Sequence, residues 1–556
     1  MDYAEAVATV TAPGAPFETT TIEVNGQQLT AFANAPATLR DLVLTTAARG
    51  DATFLVYEDE RWSFARFSDE VAALGAALVE RYGVTKGDRV AIAMRNFPEW
   101  VVSFAAATAV GAVSVSFNAW WTDEEMDYAI GDCSPRVLIA DAERVERARA
   151  SCVERDIAIV GVRCREAAPD VDHWADVVVP GAPLPDVEVA ADDDATILYT
   201  SGTTGHPKGA VSVNRAVVQA LFGFACRSAV DRLRTGGAAA PGGPPVFILV
   251  VPLFHVTGCV PVMLSCLVGG LKLVIMRKWD PDRALELIER ERVTNFVGVP
   301  TQSWDLLASP RFAEFDTSSL RGVGGGGAPA PPELVKRVAG GFPTASPGIG
   351  YGMTETNAYG PQNGGADYLA HPTSTGRATP ILQVEVRDPE GHAVPVGERG
   401  EIWFRGPNLI RGYWNNPEAT AEVLVDGWLR SGDIGRIDDE GFVYVEDRAK
   451  DMVLRAGENV YCAEVEAVLY EHPAVHEAAV FGVPHERLGE EVAAAVMLRA
   501  GATATVEQLQ AHVAEHLAAF KVPTRMALWS EPLPRNASGK ILKRELRDQL
   551  AGTDEG

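Results

Sequence analysis

Apolar runs alternate with helix-like segments over the first two thirds of the chain. From about residue 192, the runs with the composition of buried strands are ATILYT, VFILVV, LKLVIM and TNFVGV, with the helix-like DPDRALELIERER among them. Before residue 192 the same alternation continues through GDRVAIAM, PEWVVSFAAATAVGA, AVSVSFN and RVLIAD. Strands that alternate with helices form parallel sheets with helices packed on their faces. The pattern therefore predicts two α/β layers in this part.

The pattern changes after about Pro380. Short runs with turn residues between them predict an antiparallel β subdomain: QVEVRDPEGH, GEIWFRG and GRIDDEGFVYV. A last segment begins near Lys450 and contains two strand-like runs and a helix that opens with a capping box of Thr505 and Gln508. The apolar stripe expected on that helix consists of Val506, Leu509, Val513, Leu517 and Phe520. We therefore expect a separate α+β domain of about a hundred residues.

Composition and charge narrow the class of protein. The 556 residues are 47% hydrophobic and 22% charged, which is typical of a globular protein with more than one domain. No apolar run reaches the roughly 20 residues of a spanning helix, and the acidic N-terminus lacks the basic region of a secretory signal, so we expect a cytoplasmic location. A net charge of −26 disfavours nucleic acid and anionic membranes as partners. An anionic substrate would therefore need cations or a metal ion concentrated at its site.

The cysteines follow no metal-binding or disulfide pattern. There are seven, an odd number, and they are scattered without CxxC spacing. We predict that they are buried free thiols: Cys133, Cys152, Cys164, Cys226, Cys259, Cys266 and Cys462.

Residues 199–209, YTSGTTGHPKG, have the composition of a phosphate-binding loop. A strand-like run leads into glycines whose backbone amides can face an anion, and Lys208 adds a positive charge. A flexible turn is the alternative interpretation, but the hydroxyl groups packed into this stretch favour phosphate. The loop residues that can contact the anion are Thr200, Ser201, Gly202, Thr203 and Thr204.

Two other nucleotide-binding patterns fit poorly. A Walker loop has lysine directly after its last glycine and then opens a helix, whereas Lys208 precedes Gly209 and AVSV continues as a strand. Residues 322–327, GVGGGG, satisfy G-x-G-x-x-G, but no acidic residue follows about 20 positions later to bind a ribose. We therefore favour neither a P-loop nor a dinucleotide fold.

Four further motifs follow the phosphate loop, in the order seen in one enzyme superfamily. They are YGMTET (351–356), SGD (431–433), EDRAKDMVLRAGENVYCAEVE (446–466) and PRNASGKILKREL (534–546). From about Leu39 to Arg547 the chain resembles the adenylate-forming superfamily of acyl-CoA synthetases, adenylation domains and luciferases, most of all a fatty-acid or aryl-acid CoA ligase. The resemblance implies a large domain, residues 1–449, of two doubly wound α/β subdomains and a small β-barrel-like subdomain. Residues 450–556 would form a small, mobile α+β domain.

The resemblance also implies a two-step reaction. A carboxylic acid reacts with ATP to give an acyl-adenylate and pyrophosphate, and the thiol of coenzyme A then takes the acyl group and releases AMP. The implied cofactors are thus ATP, Mg²⁺ and coenzyme A. Because a carboxylate is a weak nucleophile and pyrophosphate is highly charged, we expect catalysis by positioning and charge stabilisation.

Several residues are implied to bind the nucleotide and its metal. Glu355 is expected to hold Mg²⁺ and Thr354 to bond a phosphate, while the ring of Tyr351 faces adenine. A surface position is the ordinary alternative for such a glutamate, and the spacing to the other motifs favours the functional interpretation. Backbone close to adenine is expected from Gly327, Ala328 and Pro329.

The resemblance also implies which residues bind the ribose of ATP and the carboxylic acid. Asp433 is expected to accept both ribose hydroxyls, with Arg448 beside it, since an ionised aspartate can only accept. His255 is expected at the carboxylate end of the acyl pocket, although a lone histidine near an apolar helix is more often a core residue. For an isolated Asp or Arg, a solvated surface would be the default interpretation.

One small domain is implied to serve both half-reactions. Lys540 is expected to reach the carboxylate and the α-phosphate during adenylation, and acetylation would remove its charge. Rotation at Lys450 would then bring the RAGENV loop to the site and guide the thiol past Gly457. A solvated charge is the alternative for either lysine.

Two positions depart from the common motif, and one stretch bears on the substrate. Ala456 stands where a first glycine is frequent, and its methyl group is expected to narrow the thiol tunnel slightly. Cys462 stands where proline is frequent. Cys462 starts a helix and could be mildly acidified, although a structural thiol is preferred.

Glycines 324–326 lie where the family has a pocket wall, so we expect a roomy pocket for fatty or bulky aryl acids, with strand packing as the alternative. Further candidate lining residues are Phe224, Val256, Gly258 and Trp304.

Three functions are compared. An acid–CoA ligase is the leading hypothesis, and a stand-alone adenylation enzyme that loads an acyl carrier protein is the nearest rival. A regulatory protein that keeps the fold without the chemistry would require a broken catalytic set, but the complete set is present: Thr354, Glu355, Asp433, Arg448 and Lys540.

Overall fold

The computed structural model describes residues 1–165, 168–200, 207–236, 243–328, 330–456, 458–485, 487–536 and 539–551. Within these ranges no helix has both the length and the apolar character that a membrane crossing requires. The protein combines parallel and antiparallel sheets with helices, in a large N-terminal and a small C-terminal domain, as the sequence predicted.

The helices occur throughout the chain. They are α1 (Tyr3–Thr11), α2 (Leu39–Leu44), α3 (Phe64–Glu80), α4 (Pro98–Ala109), α5 (Asp123–Cys133), α6 (Ala142–Glu154), α7 (Trp174–Val177), α8 (Asn214–Arg234), α9 (Ser265–Gly269), α10 (Pro281–Glu291), α11 (Pro300–Ala308), α12 (Pro332–Gly341), α13 (Gly365–Ala370), α14 (Pro417–Val423), α15 (Cys462–Glu471), α16 (Val506–His516) and α17 (Lys543–Ala551).

The strands range from two to eleven residues in length. They are β1 (Thr19–Val24), β2 (Gln27–Phe32), β3 (Thr53–Tyr57), β4 (Glu60–Ser63), β5 (Arg89–Ala93), β6 (Val113–Ser116), β7 (Val137–Asp141), β8 (Ala158–Val162), β9 (Val171–His173), β10 (Asp194–Thr200), β11 (Lys208–Val213), β12 (Val246–Leu249), β13 (Lys272–Ile275), β14 (Asn295–Gly298), β15 (Gly322–Gly326), β16 (Ser346–Gly350), β17 (Gln362–Gly364), β18 (Gly376–Arg377), β19 (Gln383–Arg387), β20 (Gly400–Arg405), β21 (Gly412–Tyr413), β22 (Leu424–Val425), β23 (Trp428–Ile437), β24 (Phe442–Arg448), β25 (Val453–Arg455), β26 (Glu458–Val460), β27 (Val475–His485), β28 (Gly489–Leu498) and β29 (Arg525–Trp529).

Two doubly wound sheets form the large domain. In the first the order is β21-β11-β10-β6-β5-β7-β8-β9, with parallel pairs from β10 to β9. In the second, β3, β13, β12, β14, β15 and β16 are parallel neighbours. The chain moves to one side of β5 and of β12 before it returns to the other, which is the doubly wound arrangement.

The predicted antiparallel strands are confirmed, and they extend the second sheet. β17 pairs with β16 at the edge of the parallel part, and β18 pairs with β17. The order then continues through β24, β23 and β20 to β19. The strands that carry Asp433 and Arg448 therefore belong to the same sheet as β16, which ends beside Tyr351, with β17 and β18 between them.

Helix α4 lies in the core of the large domain, where both of its faces are covered. Every residue from Pro98 to Ala109 is buried, including Glu99, whose carboxylate meets the guanidinium of Arg163. A helix that is apolar all round is stable only where every face meets protein. Its sequence, PEWVVSFAAATA, thus positions the two large layers against each other.

The small domain has a sheet of its own. β27 and β28 pair antiparallel, β29 is parallel to β28, and α15 and α16 cover one face. The predicted capping box is confirmed, because Thr505 and Gln508 exchange hydrogen bonds at the start of α16. The helix ends at His516, so Leu517 and Phe520 reach the same core from beyond it rather than from the predicted stripe. The division at residue 450 falls between β24 and β25 and stays a prediction.

All seven cysteines are free, as predicted, and all but the half-buried Cys164 are buried. The suggestion that Cys462 is acidified is wrong. Burial raises the pKa of its thiol, and the nearby carboxylate of Asp447 acts in the same direction, although Lys543 opposes both. The position at a helix start does not offset the loss of water around the thiolate.

Candidate active site

The candidate site lies where parallel strands of the second sheet end. The carboxyl ends of β12, β15 and β16 lead to His255, Gly327 and Tyr351, respectively. Ligands of open α/β sheets bind outside the carboxyl ends of the strands, at the point where the winding reverses. Residues far apart in sequence therefore converge at this edge.

The predicted phosphate loop connects two antiparallel strands of the first sheet. Thr200, the last residue of β10, faces Lys208, the first residue of β11, and the Thr200 hydroxyl lies 3.4 Å from the Lys208 carbonyl oxygen. β11 continues as a strand, so the Walker interpretation is excluded by geometry as well as by sequence. The remaining loop residues lie outside the described part of the chain: Ser201, Gly202, Thr203 and Thr204.

Glu355 is buried and its carboxylate is oriented by a tyrosine. It lies in a short 3₁₀ turn that begins at Thr354, and only 6% of its surface is exposed. The Tyr413 hydroxyl donates to Glu355 Oε1 over 2.5 Å, and the Lys208 ammonium lies 5.3 Å from the centre of the Tyr413 ring. A single fixed carboxylate close to the phosphate loop fits Mg²⁺, which takes one or two protein carboxylates and otherwise phosphate and water oxygens.

Tyr351 and Asp433 come together across 82 residues of sequence. The Tyr351 hydroxyl donates to Asp433 Oδ2 over 2.5 Å, and the Arg448 Nε lies 3.5 Å from Oδ1 on the paired strand. Asp433 is 7% exposed, and burial raises the pKa of its carboxyl, while Arg448 opposes that shift. The pair places an acceptor-only group and an aromatic ring side by side, as ribose and adenine recognition requires.

Lys540 reaches this site from the small domain. A Cβ placed on Gly327 would lie 3.9 Å from Lys540 Cε, and one placed on Gly539 would lie 3.0 Å from Val299 Cγ2. The loop that carries Lys540 is tied down, because its amide donates to Asn536 Oδ1 and its carbonyl accepts from the Asn536 amide. The small domain thus contacts the large domain at Gly327 through the loop that carries Lys540. Ala328 lies beside Gly327, and Pro329 lies outside the described residues.

The charges at the site shift the pKa values of Lys540 and His255. Burial, helped by the positive charge of Arg448, lowers the pKa of Lys540 to about 8, against the opposing carboxylates of Asp433 and Glu355. Burial and the Lys540 ammonium lower the pKa of His255 to about 3. His255 is therefore neutral at neutral pH, and since its Nδ1 accepts from the Thr257 amide, its Nε2 carries the proton.

The glycine run does not leave the open volume that the sequence suggested. A Cβ on Gly325 would lie 2.6 Å from the Gly298 carbonyl oxygen, and one on Gly326 would lie 2.8 Å from that of Gly350. Neighbouring strands thus occupy the space where side chains would stand, and the strand-packing alternative holds at these two positions.

The other pocket candidates lie in different surroundings. Trp304 is buried beneath the guanidinium groups of Arg337, at 4.8 Å, and Arg499 of the small domain, at 5.5 Å from its ring centre. Gly258 packs against the Pro252 carbonyl, and Val256 is buried in the large core. Phe224 meets the Tyr359 ring edge to face, with ring centres 5.2 Å apart. Trp304 therefore takes part in the contact between the domains, and its predicted place in a pocket wall stays a prediction.

Ala456 adopts the backbone conformation that a glycine would adopt more easily. Its φ is +53°, in the left-handed region, and Gly457 lies outside the described residues. We expect Ala456→Gly to raise the free energy of unfolding by about 0.5–1 kcal/mol in urea denaturation, because it removes the Cβ strain. The same change at Ala463, inside α15, should lower it by about 0.5–1 kcal/mol. A loss of stability in Ala456→Gly would contradict the strain argument.

Sequence reasoning missed two residues that support the site. Tyr413 orients Glu355 from β21, and nothing in its local sequence distinguishes it from a core tyrosine. Asp447 is buried next to Arg448, and it accepts hydrogen bonds from the Arg448 amide and from the Cys462 amide at the start of α15. Burial raises the pKa of Asp447 to about 6, which the charge of Lys543 opposes. Its position inside the 446–466 motif was the one available signal.

Comparison with known proteins agrees with this geometry. Residues 44–414 match the family model of the AMP-binding enzymes, and residues 464–540 match that of the AMP-binding enzyme C-terminal domain. The chain is 35% identical over 506 residues to the long-chain-fatty-acid–CoA ligase FadD13 of Mycobacterium tuberculosis, covering 89% of this chain and 94% of that protein. It is 37% identical over 506 residues to a feruloyl-CoA synthase of Amycolatopsis, covering 90% and 95%.

Solved structures give the same result. ATP-bound MatB of Rhodopseudomonas palustris is 30% identical, with a TM-score of 0.81, covering 92% of this chain and 98% of that chain. The anthranilate CoA ligase AuaEII, in complex with anthranoyl-AMP, is 26% identical, with a TM-score of 0.82, covering 93% and 98%. The chain therefore belongs to the AMP-binding enzyme family and is an AMP-forming acid–thiol ligase.

Proposed function

We propose that this ligase joins a hydrophobic carboxylic acid, fatty or aryl, to coenzyme A through an acyl-adenylate, with release of AMP and pyrophosphate. One observation carries the proposal: Lys540 comes from the small domain to Gly327, close enough to Asp433 and Glu355 for their charges to act on it. At this position, beside two buried carboxylates and the end of β15, the lysine can supply a positive charge. That charge is needed where the carboxylate of the substrate reacts with the α-phosphate of ATP.

The assigned roles follow from these positions. Asp433 holds the ribose, Tyr351 packs on the adenine, and Thr354 and Lys208 contact phosphate oxygens. Glu355 would hold Mg²⁺, which neutralises charge on the phosphates when it is bound. The neutral His255, with a protonated Nε2, stands next to Lys540 at the acid end. Each role rests on placement in the described residues and on the family motifs.

Coenzyme A is the proposed acceptor. The relatives at 35–37% identity are named as CoA ligases, one for long-chain fatty acids and one for ferulate. Both acids are hydrophobic, which supports the substrate class now that the glycine run no longer does. An acyl carrier protein stays the alternative acceptor.

A panel of acids tests the function. Pyrophosphate release should depend on acid, ATP and Mg²⁺, be greatest with a fatty or aryl acid, and be followed by a CoA thioester detected by mass. Acetate as the best substrate would contradict the substrate class. Acid-dependent AMP formation without a thioester, but with acylation of a carrier protein, would replace coenzyme A as the acceptor.

The pH dependence of adenylation is a further prediction. Because Lys540 acts as a cation and its pKa is about 8, kcat/KM for ATP should fall as the pH rises through about 8 and Lys540 loses its proton. The arginine of Lys540→Arg stays charged, so this descending limb should disappear, although the maximal rate is lower. A limb that is unchanged in Lys540→Arg would assign the titration to another group.

A further inference from the structure

A cluster of histidines lies on the small domain, on an element that carries none of the proposed active-site residues. On α16, Glu515 and His516 follow His512 by three and four positions, so both lie one turn from His512 on the same side of the helix. One potential ligand atom from each lies within 4.8 Å of those of the other two. His512 is half-buried, and the other two side chains are exposed.

The hydrogen bonds of the two histidines define which ring nitrogens are free to bind a metal. Nε2 of His512 lies 3.0 Å from the carbonyl oxygen of Val468 in α15, and Nδ1 of His516 lies 2.8 Å from the carbonyl oxygen of His512. A carbonyl oxygen can only accept, so each of these nitrogens carries the proton of a neutral imidazole. Nδ1 of His512 and Nε2 of His516 are then left with their lone pairs.

This arrangement matches the outer shell of protein metal sites. Histidines that bind metals usually donate their second ring N–H to a backbone carbonyl or a carboxylate, which sets the tautomer and the ring orientation. Here both imidazoles make that bond, and their ring centres are 4.7 Å apart. Both rings are therefore held by the kind of backbone contact that orients metal-binding histidines.

A fourth side chain borders the cluster without completing it. The ring of His472, just after α15, stands edge to face on His512 with centres 5.2 Å apart. Its Nδ1 accepts from the Ala474 amide, so its Nε2 carries the proton in the neutral form and offers no lone pair. His472 is therefore a packing partner of the site and not one of its ligands.

We propose that His512, Glu515 and His516 form a binding site for a divalent transition-metal ion of the zinc type. Two imidazoles and one carboxylate are ligands that Zn²⁺ accepts, and three protein ligands leave a position for water. Since His512 is also hydrogen-bonded to Val468 of α15, a metal bound on α16 would hold in place the ring that contacts α15. The proposal is independent of the proposed ligase chemistry.

Zinc titration of the untagged, chelator-treated full-length chain at about pH 7.5 tests the site, with a colorimetric chelator as competitor. We expect one equivalent of Zn²⁺ to bind and to raise the melting temperature. His516→Gln and Glu515→Gln, both at exposed positions, should each weaken binding at least about tenfold and abolish the melting shift. Because both replaced side chains face solvent, folding of the variants can be confirmed by their metal-free melting temperatures.

The matched control is His392→Gln. His392 is an exposed histidine that is likewise four residues from a carboxylate, at 3.4 Å from Asp388, but among the described residues it belongs to no cluster of three potential ligands. Its loss should leave zinc binding unchanged. The proposal is overturned if the wild type binds no stoichiometric zinc, or if His392→Gln weakens binding as much as His516→Gln does.

Discussion

Replacing Lys540 by alanine is expected to slow acyl-adenylate formation by about 10²–10³-fold while leaving thioester formation from a supplied acyl-adenylate unchanged. The reason is geometric. Lys540 lies against Gly327 in the present arrangement, and its charge interacts with those of Asp433 and Glu355, so it serves the step in which charge develops on the carboxylate and α-phosphate. Pyrophosphate release measures the first step, and mass detection of acyl-CoA from synthetic acyl-adenylate measures the second.

Arg544→Ala is the matched control for Lys540→Ala. Arg544 is exposed, near the same end of the chain, and its removal takes one positive charge from the surface without touching the site. Both half-reactions should keep their rates. If Lys540→Ala and Arg544→Ala slow adenylation equally, the effect is one of overall charge, and if Lys540→Ala slows neither step, the assignment of Lys540 is wrong.

Replacing Asp433 by alanine should raise KM for ATP by about 10–100-fold, with little change in KM for the acid. Each hydrogen bond to a charged group contributes about 1.5–3 kcal/mol, and Asp433 is expected to accept from both ribose hydroxyls. The variant also removes the acceptor of the Tyr351 hydroxyl, which then lacks its partner at 2.5 Å. Steady-state kinetics with each substrate varied in turn, together with calorimetric ATP titration, measures the effect.

Asp451→Ala is the control that separates loss of the ribose contact from a general change in the charge around Asp433. Asp451 is close enough for its charge to raise the pKa of Asp433, so its removal makes the neighbourhood less negative without touching the ribose position. KM for ATP should stay the same or fall slightly. An equal rise in both variants, or a rise in KM for the acid alone, would remove Asp433 from the nucleotide site.

Much of the local structure was predictable because it depends on neighbouring residues. The strands on either side of the phosphate loop, the failure of the Walker pattern at Lys208 and the cap at Thr505 all follow from short-range periodicity and backbone chemistry. The strain at Ala456 agrees with the departure noted in the motif, since a φ of +53° favours glycine.

The prediction of a roomy pocket at the glycine run was wrong because it depended on contacts with distant parts of the chain. Missing side chains at Gly325 and Gly326 leave space only if no other part of the chain fills it, and the carbonyls of β14 and β16 do so. The contact of Trp304, a candidate lining residue, with Arg499 of the small domain could not be anticipated from the local sequence either. Sequence periodicity reports which face is apolar and not which segment packs on it.

By itself the sequence determined the α/β class, the order of the motifs and the residue types available for phosphate, metal and ribose. The tertiary structure decided which of them meet: Tyr351 with Asp433 across 82 residues, Tyr413 with Glu355 across 58, and Lys540 with Gly327 across the two domains. Local chemistry is encoded within a few residues, whereas these contacts depend on how two sheets and a separate domain pack together. Only the complete fold therefore turns the motifs into one site.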